Sequence, residues 1–126
     1  MRILIVEDDK DLNRQLEEAC LETGYVVDKA FDGEEGHFLG DTEPYDAVIL
    51  DITIPGGMGG KEVIGRLRDY DPEVKAIVSS GYSNDEVMAE YEAHGFVGML
   101  NKPFKIAALS QVLKKVLHSA VAPRTA

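Results

Sequence analysis

The chain has 126 residues, a length typical of one domain with a single hydrophobic core. Apolar residues make up 44% of it and charged residues 29%, which excludes a mainly disordered chain. Lys and Arg number 13 against 23 Asp and Glu, and the resulting net charge of −10 argues against a protein that binds nucleic acid or an anionic membrane, because such binding needs clustered basic residues.

The cysteine count and the apolar runs indicate where the protein works. Cys20 is the only cysteine, so an intramolecular disulfide is excluded, and the three histidines are too scattered to suggest a zinc site. The N-terminus does not resemble a signal peptide, and no apolar stretch approaches the length of a membrane span. We therefore expect a cytoplasmic protein without a membrane segment.

Five apolar runs predict β-strands, at residues 3–6, 25–27, 47–50, 76–78 and 96–100. The first, third and fourth contain no polar residue, which is typical of parallel strands covered on both faces. Between and after these runs, apolar spacings of three and four predict helices near residues 12–20, 63–70, 87–91 and 106–117, with a weaker one at 33–39. The alternation indicates a three-layer α/β sandwich at residues 1–119, followed by a flexible tail at 120–126.

Polar side chains follow four of the five strands. In a parallel sheet, ligands bind beyond the carboxyl ends of the strands, where one edge of this sheet would collect Glu7, Asp8, Asp51, Ser80 and Lys102. The second strand ends without a comparable group. We therefore predict the strand order 2-1-3-4-5, with the site between strands one and three.

Such a cluster needs positive charge. Two carboxylates about 4 Å apart repel each other by roughly 4 kcal/mol at an effective dielectric constant near 20. Carboxylate oxygens with little imidazole or sulfur nearby favour Mg²⁺, and Lys102 would complete the neutralisation. A divalent ion and an ammonium group beside the exposed carboxylate of Asp51 form a site that can accept a phosphoryl group, with the Ser80 hydroxyl bonded to one of its oxygens.

Each residue also has an ordinary structural interpretation. Asp9 or Asp11 is more simply a helix N-cap, and Asp51 alone is as well explained by a turn. Ser80 alone is typical of a turn and Lys102 of a solvated surface. Only their joint occurrence at four strand ends favours a functional site.

The same residues, in this order and spacing, resemble the receiver domain of two-component response regulators over residues 1 to about 119. The resemblance is carried by Ile5-Val-Glu7-Asp8-Asp9, Val48-Ile-Leu-Asp51 with Pro55, Ser80-Gly81 and Lys102-Pro103-Phe104. It implies a flavodoxin-like (βα)5 fold, and the loss of the phosphoryl group by slow Mg²⁺-assisted hydrolysis.

The resemblance also assigns roles. Asp51 would take a phosphoryl group from a sensor histidine kinase or a histidine phosphotransfer protein, Ser80 and Lys102 would contact that group, and the bond from Lys102 to Pro103 would be cis. Phosphorylation would shift an equilibrium at the fourth helix, fifth strand and fifth helix of a monomer or weak phosphorylation-dependent dimer. The magnesium site would consist of Asp8 and Asp51, Glu7 mainly through water, and the backbone carbonyl of Thr53.

The chain departs from the family pattern in two places. Met99 stands where the family usually has Tyr or Phe, so the aromatic part of the switch is in question. The loop after Pro55 has an extra glycine.

The two halves of the chain resemble different branches of the family. The first half resembles receivers of transcription regulators and the second half resembles receivers of hybrid kinases, which suggests a recombined chain joined near Asp51.

Two other functions fit part of the pattern. A Mg²⁺-dependent phosphohydrolase with an aspartyl-phosphate intermediate would need a second carboxylate at position 53, which is a threonine, and a lid domain. A degenerate receiver could act as a phosphorylation-independent scaffold, although the complete set of acidic residues, Ser80 and Lys102 argues against it.

Overall fold

The computed structural model describes residues 1–52, 60–80, 91–93, 95–102 and 104–118. The strands are β1 (Arg2–Val6), β2 (Val26–Ala30), β3 (Ala47–Asp51), β4 (Ala76–Ser80) and β5 (Gly98–Asn101). The described helices are α1 (Lys10–Glu22), α2 (Gly33–Thr42), α3 (Gly60–Tyr70) and α4 (Ile106–His118). The five predicted strands and four of the five predicted helices are confirmed.

Several predictions fall outside the described residues. These are the helix predicted at 87–91, of which only Tyr91 is described, the glycine-rich loop after Pro55, the backbone carbonyl of Thr53, the bond to Pro103 and the tail at 120–126. Among the residues that the structure does describe, no helix is long and apolar enough to cross a membrane.

All five strands are parallel, in the predicted order β2-β1-β3-β4-β5. The register aligns Val6 with Ala30 and Leu50, and Asp51 with Ser79. Because parallel strands share a direction, the polar residues after β1, β3, β4 and β5 reach one edge of the sheet. The order that was predicted from the strand ends is therefore confirmed.

The sheet separates two apolar cores, because successive side chains of a strand point to opposite faces. Leu4 and Val6 of β1 lie in the core shared with α2 and α3, whereas Ile3 and Ile5 lie in the core shared with α1 and α4. Cys20 is fully buried in this second core, where it packs as a small apolar residue.

The helix α2 lies close to the sheet because glycines face inward. Gly33, Gly36 and Gly40 are its buried residues, at spacings of three and four. A Cβ atom at Gly36 would lie 2.9 Å from Val6 Cγ2, and one at Gly40 would clash with Leu67 Cδ2 on α3. The glycines that weaken this helix as an isolated segment therefore allow it to pack in the fold.

This packing predicts opposite effects of one substitution at two helical glycines. Gly40→Ala should lower the free energy of unfolding by about 1 to 3 kcal/mol, because the added methyl group overpacks the contact with Leu67. Gly65→Ala, on the exposed side of α3, adds a Cβ with no atom of another described part of the chain within 4 Å, and should raise the free energy of unfolding by up to about 1 kcal/mol. Urea unfolding measures both, and a stabilised Gly40→Ala would contradict the close contact.

Candidate functional site

Three carboxylates meet at the carboxyl edge of the sheet. Glu7 and Asp8 directly follow β1, and Asp51 is the last residue of β3. One carboxylate oxygen from each lies within 4.8 Å of the others. Glu7 and Asp51 are only 1% exposed, whereas Asp8 is exposed. The expectation that the Asp51 carboxylate is exposed is therefore wrong, because Asp51 is the last residue of a strand that is buried along its whole length. The predicted convergence of these three residues is therefore present.

Lys102 provides the positive charge of the cluster. Its ammonium Nζ lies 2.6 Å from Glu7 Oε1 and donates a hydrogen bond of 3.1 Å to Asp51 Oδ2. The lysine directly follows β5, and its backbone N–H donates to the Ser80 carbonyl across the sheet. The lysine that was predicted from the last strand end thus contacts both buried carboxylates.

Burial and the neighbouring charges shift the pKa values of this cluster. Burial raises the pKa of Glu7 to about 7, and the charge of Asp51 adds to the rise, against the opposing hydrogen bonds from Lys102 and the Asp9 backbone. Burial alone would lower the pKa of Lys102, but its bonds to Glu7 and Asp51 outweigh burial and raise it. One ammonium group therefore does not fully compensate three carboxylates in this set.

Ser80 completes the predicted set of side chains. It is fully buried at the end of β4, aligned with Asn101 of β5 and one position beyond the pair Asp51–Ser79.

Met99 is half-buried in β5 and packs against the core shared with α2 and α3.

Asp9 has the structural role that its position suggested. Its side chain accepts hydrogen bonds from the backbone N–H groups of Asp11 and Leu12, and it is the N-cap of α1. Its own backbone N–H donates to Glu7 Oε2 at 3.1 Å, which also holds the Glu7 carboxylate in place. Asp11 lies in the first turn and does not cap the helix.

One residue near the site was missed by the sequence interpretation. Asn13 of α1 is fully buried, and its side chain reaches the backbone at the end of β1. A signal was available, since Asn13 lies on the same face of α1 as Leu16 and Cys20, at spacings of three and four. An amide at a core position needs hydrogen-bond partners, and this requirement could have identified it.

The donor set fits a hard divalent cation. Carboxylate oxygens are the ligands that Mg²⁺ prefers, and the three carboxylates here lie close enough to share one ion. The raised pKa of Glu7 comes first from its burial and to a smaller extent from the charge of Asp51, and both effects would be opposed by a cation bound here. The cluster can therefore hold a metal ion.

The family model described as the response regulator receiver domain matches residues 3–114. The transcriptional regulatory protein TctD of Salmonella typhimurium is 33% identical over 118 residues, which are 94% of this chain and 52% of that protein. The chain thus spans about half the length of such relatives.

Solved structures match over almost the full length. The response regulator TrrA of Thermotoga maritima, in complex with Mg²⁺ and BeF, is 34% identical with a TM-score of 0.82, covering 92% of this chain and 98% of that one. The receiver domain of the sensor histidine kinase PA1611 of Pseudomonas aeruginosa is 25% identical with a TM-score of 0.85, covering 94% and 98%. That receiver has a magnesium ion in its active site cleft.

Proposed function

The chain belongs to the family of response regulator receiver domains of two-component systems, and on this premise we propose that Asp51 is its phosphoacceptor. The phosphoryl donor would be a phosphohistidine of a sensor histidine kinase or of a histidine phosphotransfer protein. The observation that supports this most strongly is the convergence of Glu7, Asp8 and Asp51 around one point, with Lys102 in contact with two of them.

The transfer forms one bond and breaks one bond. A carboxylate oxygen of Asp51 bonds to the phosphorus atom, the bond from phosphorus to the histidine nitrogen breaks, and its electron pair stays on the imidazole. Lys102 stabilises the negative charge on the phosphoryl oxygens, because its ammonium already lies 3.1 Å from Asp51 Oδ2. The Ser80 hydroxyl donates to one of these oxygens after transfer.

The metal in this proposal is Mg²⁺. Its ligands would be oxygens of Asp8 and Asp51 and the backbone carbonyl of Thr53, a residue outside the described ranges, with Glu7 acting mainly through water. When bound, Mg²⁺ supplies charge that neutralises the phosphoryl oxygens during transfer. Glu7 keeps its carboxylate oriented through Lys102 on one oxygen and the Asp9 backbone on the other.

The consequence of transfer would be a conformational shift. The new contacts of Ser80 and Lys102 would bias an existing equilibrium at β5, α4 and the helix predicted at 87–91, of which only Tyr91 is among the described residues. Met99, the half-buried residue at the position usual for an aromatic switch, would respond by packing and not by ring rotation. We place this domain, at residues 1–119, in the cytoplasm as a monomer or weak phosphorylation-dependent dimer.

Incubation with acetyl phosphate tests this function. In the presence of Mg²⁺, the intact mass of the full chain should rise by one phosphoryl group, and removal of Mg²⁺ with EDTA should prevent the gain. After the donor is removed, the added mass should be lost slowly. A chain that stays unmodified in Mg²⁺ would favour the scaffold interpretation, and sustained turnover of phosphomonoesters would favour a phosphohydrolase.

A further inference from the structure

The geometry points to Asn13 as a positioning residue for the metal site. This inference rests on the proposed function and concerns the peptide that joins Glu7 to Asp8. Asn13 lies on α1, is fully buried, and touches neither carboxylate group through a hydrogen bond of its side chain. It would act through the backbone that carries them.

The side-chain amide of Asn13 bridges two strand ends. Its Nδ2 donates to the carbonyl oxygen of Glu7 at 2.9 Å and to that of Ala30 at 3.3 Å. Both partners are carbonyls, which only accept, so the side chain must present its NH2 group to them. A carboxylate or an aliphatic group at this position cannot make either bond.

These bonds replace the next rung of the parallel ladder. The pairing of β1 with β2 ends at Val6 and Ala30, and the last bond beyond it runs from the Glu7 N–H to the Ala30 carbonyl at 3.0 Å. The Glu7 carbonyl then bonds to Asn13 and not to β2. Asp8 therefore lies beyond the hydrogen-bonded pairing of β1 with β2, while the Asn13 side chain still orients the peptide between Glu7 and Asp8.

The segment that joins β1 to α1 is also held at its second end, by the first turn of α1. The Asn13 N–H donates to the Asp9 carbonyl at 2.8 Å, and the Asp9 N–H donates to Glu7 Oε2 at 3.1 Å. Asp8 lies between these fixed points and its side chain is exposed. The Asn13 bond to the Glu7 carbonyl thus sets the direction in which Asp8 leaves the sheet and approaches Asp51.

Loss of the amide should weaken the metal site without unfolding the domain. Removing a group that orients a metal ligand typically costs about 10-fold to 100-fold in affinity. Asn13→Leu is the sharpest change, because leucine has a similar branched shape, suits a buried helical position and lacks the NH2 group. If Asn13 only attaches α1 to the sheet, this variant would change stability and leave the metal affinity of the folded protein unchanged.

The test is a Mg²⁺ titration of the full ¹⁵N-labelled chain, followed by the backbone amide shifts of residues 7–9. Asn13→Leu should bind Mg²⁺ about 10-fold more weakly than the wild type. Asn13→Ser retains one donor on a shorter side chain, so its Mg²⁺ affinity should lie between those of the wild type and Asn13→Leu. It replaces Asn13→Leu in the test if that variant does not fold. Cys20→Ala is the matched control, since it alters a buried residue of the same helix away from the site, and it should bind as the wild type does.

The outcomes separate this inference from the function on which it rests. Wild-type affinity in both Asn13 variants would overturn the positioning role while leaving the receiver function intact. A wild type whose amides at residues 7–9 do not respond to Mg²⁺ would overturn the metal site itself. Equal weakening in Cys20→Ala and Asn13→Leu would assign the effect to general destabilisation and also overturn the positioning role.

Discussion

Asp51→Asn should abolish phosphoryl uptake from acetyl phosphate while the domain stays folded. The amide that replaces the carboxylate has nearly the same size, but it is not a nucleophile for phosphorus. The substitution also removes one negative charge beside Glu7, whose pKa is raised by burial and further by the charge of Asp51. Because Lys102 keeps its contact with Glu7, the free energy of unfolding should not fall for electrostatic reasons. Intact mass measures the uptake and urea unfolding measures the stability.

Asp69→Asn is the control for this experiment. Asp69 is an exposed carboxylate on α3, so the substitution changes the net charge by the same amount away from the cluster. It should gain one phosphoryl group at the wild-type rate. Phosphoryl uptake by Asp51→Asn at that rate would show that another side chain is the acceptor.

Lys102→Met should cause the largest loss of stability among the site variants. Glu7 and Asp51, which both contact Lys102, are only 1% exposed, and removal of the ammonium takes this positive charge away from two buried carboxylates. Breaking a buried ion pair from one side typically costs about 3 to 5 kcal/mol. The variant should therefore unfold at a much lower urea concentration at pH 8, and saturating Mg²⁺ should restore part of the difference.

The stability deficit of Lys102→Met should shrink as the pH falls. The pKa of Glu7 is already about 7 in the folded protein, above its ordinary value, so the folded state binds this proton more tightly than the unfolded state does. Protonation of Glu7 then removes one of the two buried negative charges, and its contribution to stability rises as the pH decreases through about 7. Urea unfolding at pH 8 and pH 6 measures this change.

Lys115→Met provides the comparison for the lysine experiment. Lys115 is exposed on α4, where loss of a solvated charge typically changes stability by less than about 0.5 kcal/mol. A deficit of similar size in both variants, or one for Lys102→Met that grows at low pH, would contradict the ion-pair account.

The strand order could be predicted because the chemistry of this domain lies at strand ends. Runs such as Ile3 to Val6 and Ala47 to Leu50 are apolar on both faces, so they could only be central strands, and the residue after each run marks the carboxyl edge. The position of Asp51 opposite Glu7 and Asp8 follows from that rule and from the absence of a polar set after β2. Distances and protonation could not be predicted, because they depend on burial.

The role of Asn13 was missed because the sequence does not show hydrogen-bond partners. The spacing of Asn13 from Leu16 and Cys20 could have placed it on the buried face of α1, but only the structure shows that its amide meets the carbonyls of Glu7 and Ala30. The same limit applies to the amino end of the sheet, where Asp28 accepts hydrogen bonds from Arg2 and Tyr45. Asp28, Arg2 and Tyr45 come from three separate parts of the chain.

The differing resemblance of the two halves of the chain concerns recognition and not the site. The acidic residues Glu7 and Asp8 come from the first half, whereas Ser80 and Lys102 come from the second, and the cluster forms across the suggested junction near Asp51. The recombined origin stays a prediction. If it is correct, the partner kinase of neither parental branch can be assigned to this domain from its site alone.

The most direct test of the acidic cluster is the position of a bound divalent ion. In crystals of the full chain soaked in Mn²⁺, which shares the oxygen ligands of Mg²⁺, the anomalous signal should show one ion within about 2.2 Å of carboxylate oxygens of Asp8 and Asp51. Lys102 should remain beside Asp51. An ion bound elsewhere, or no ion at this cluster at saturating Mn²⁺, would contradict the proposal that these residues form a metal-dependent phosphoacceptor site.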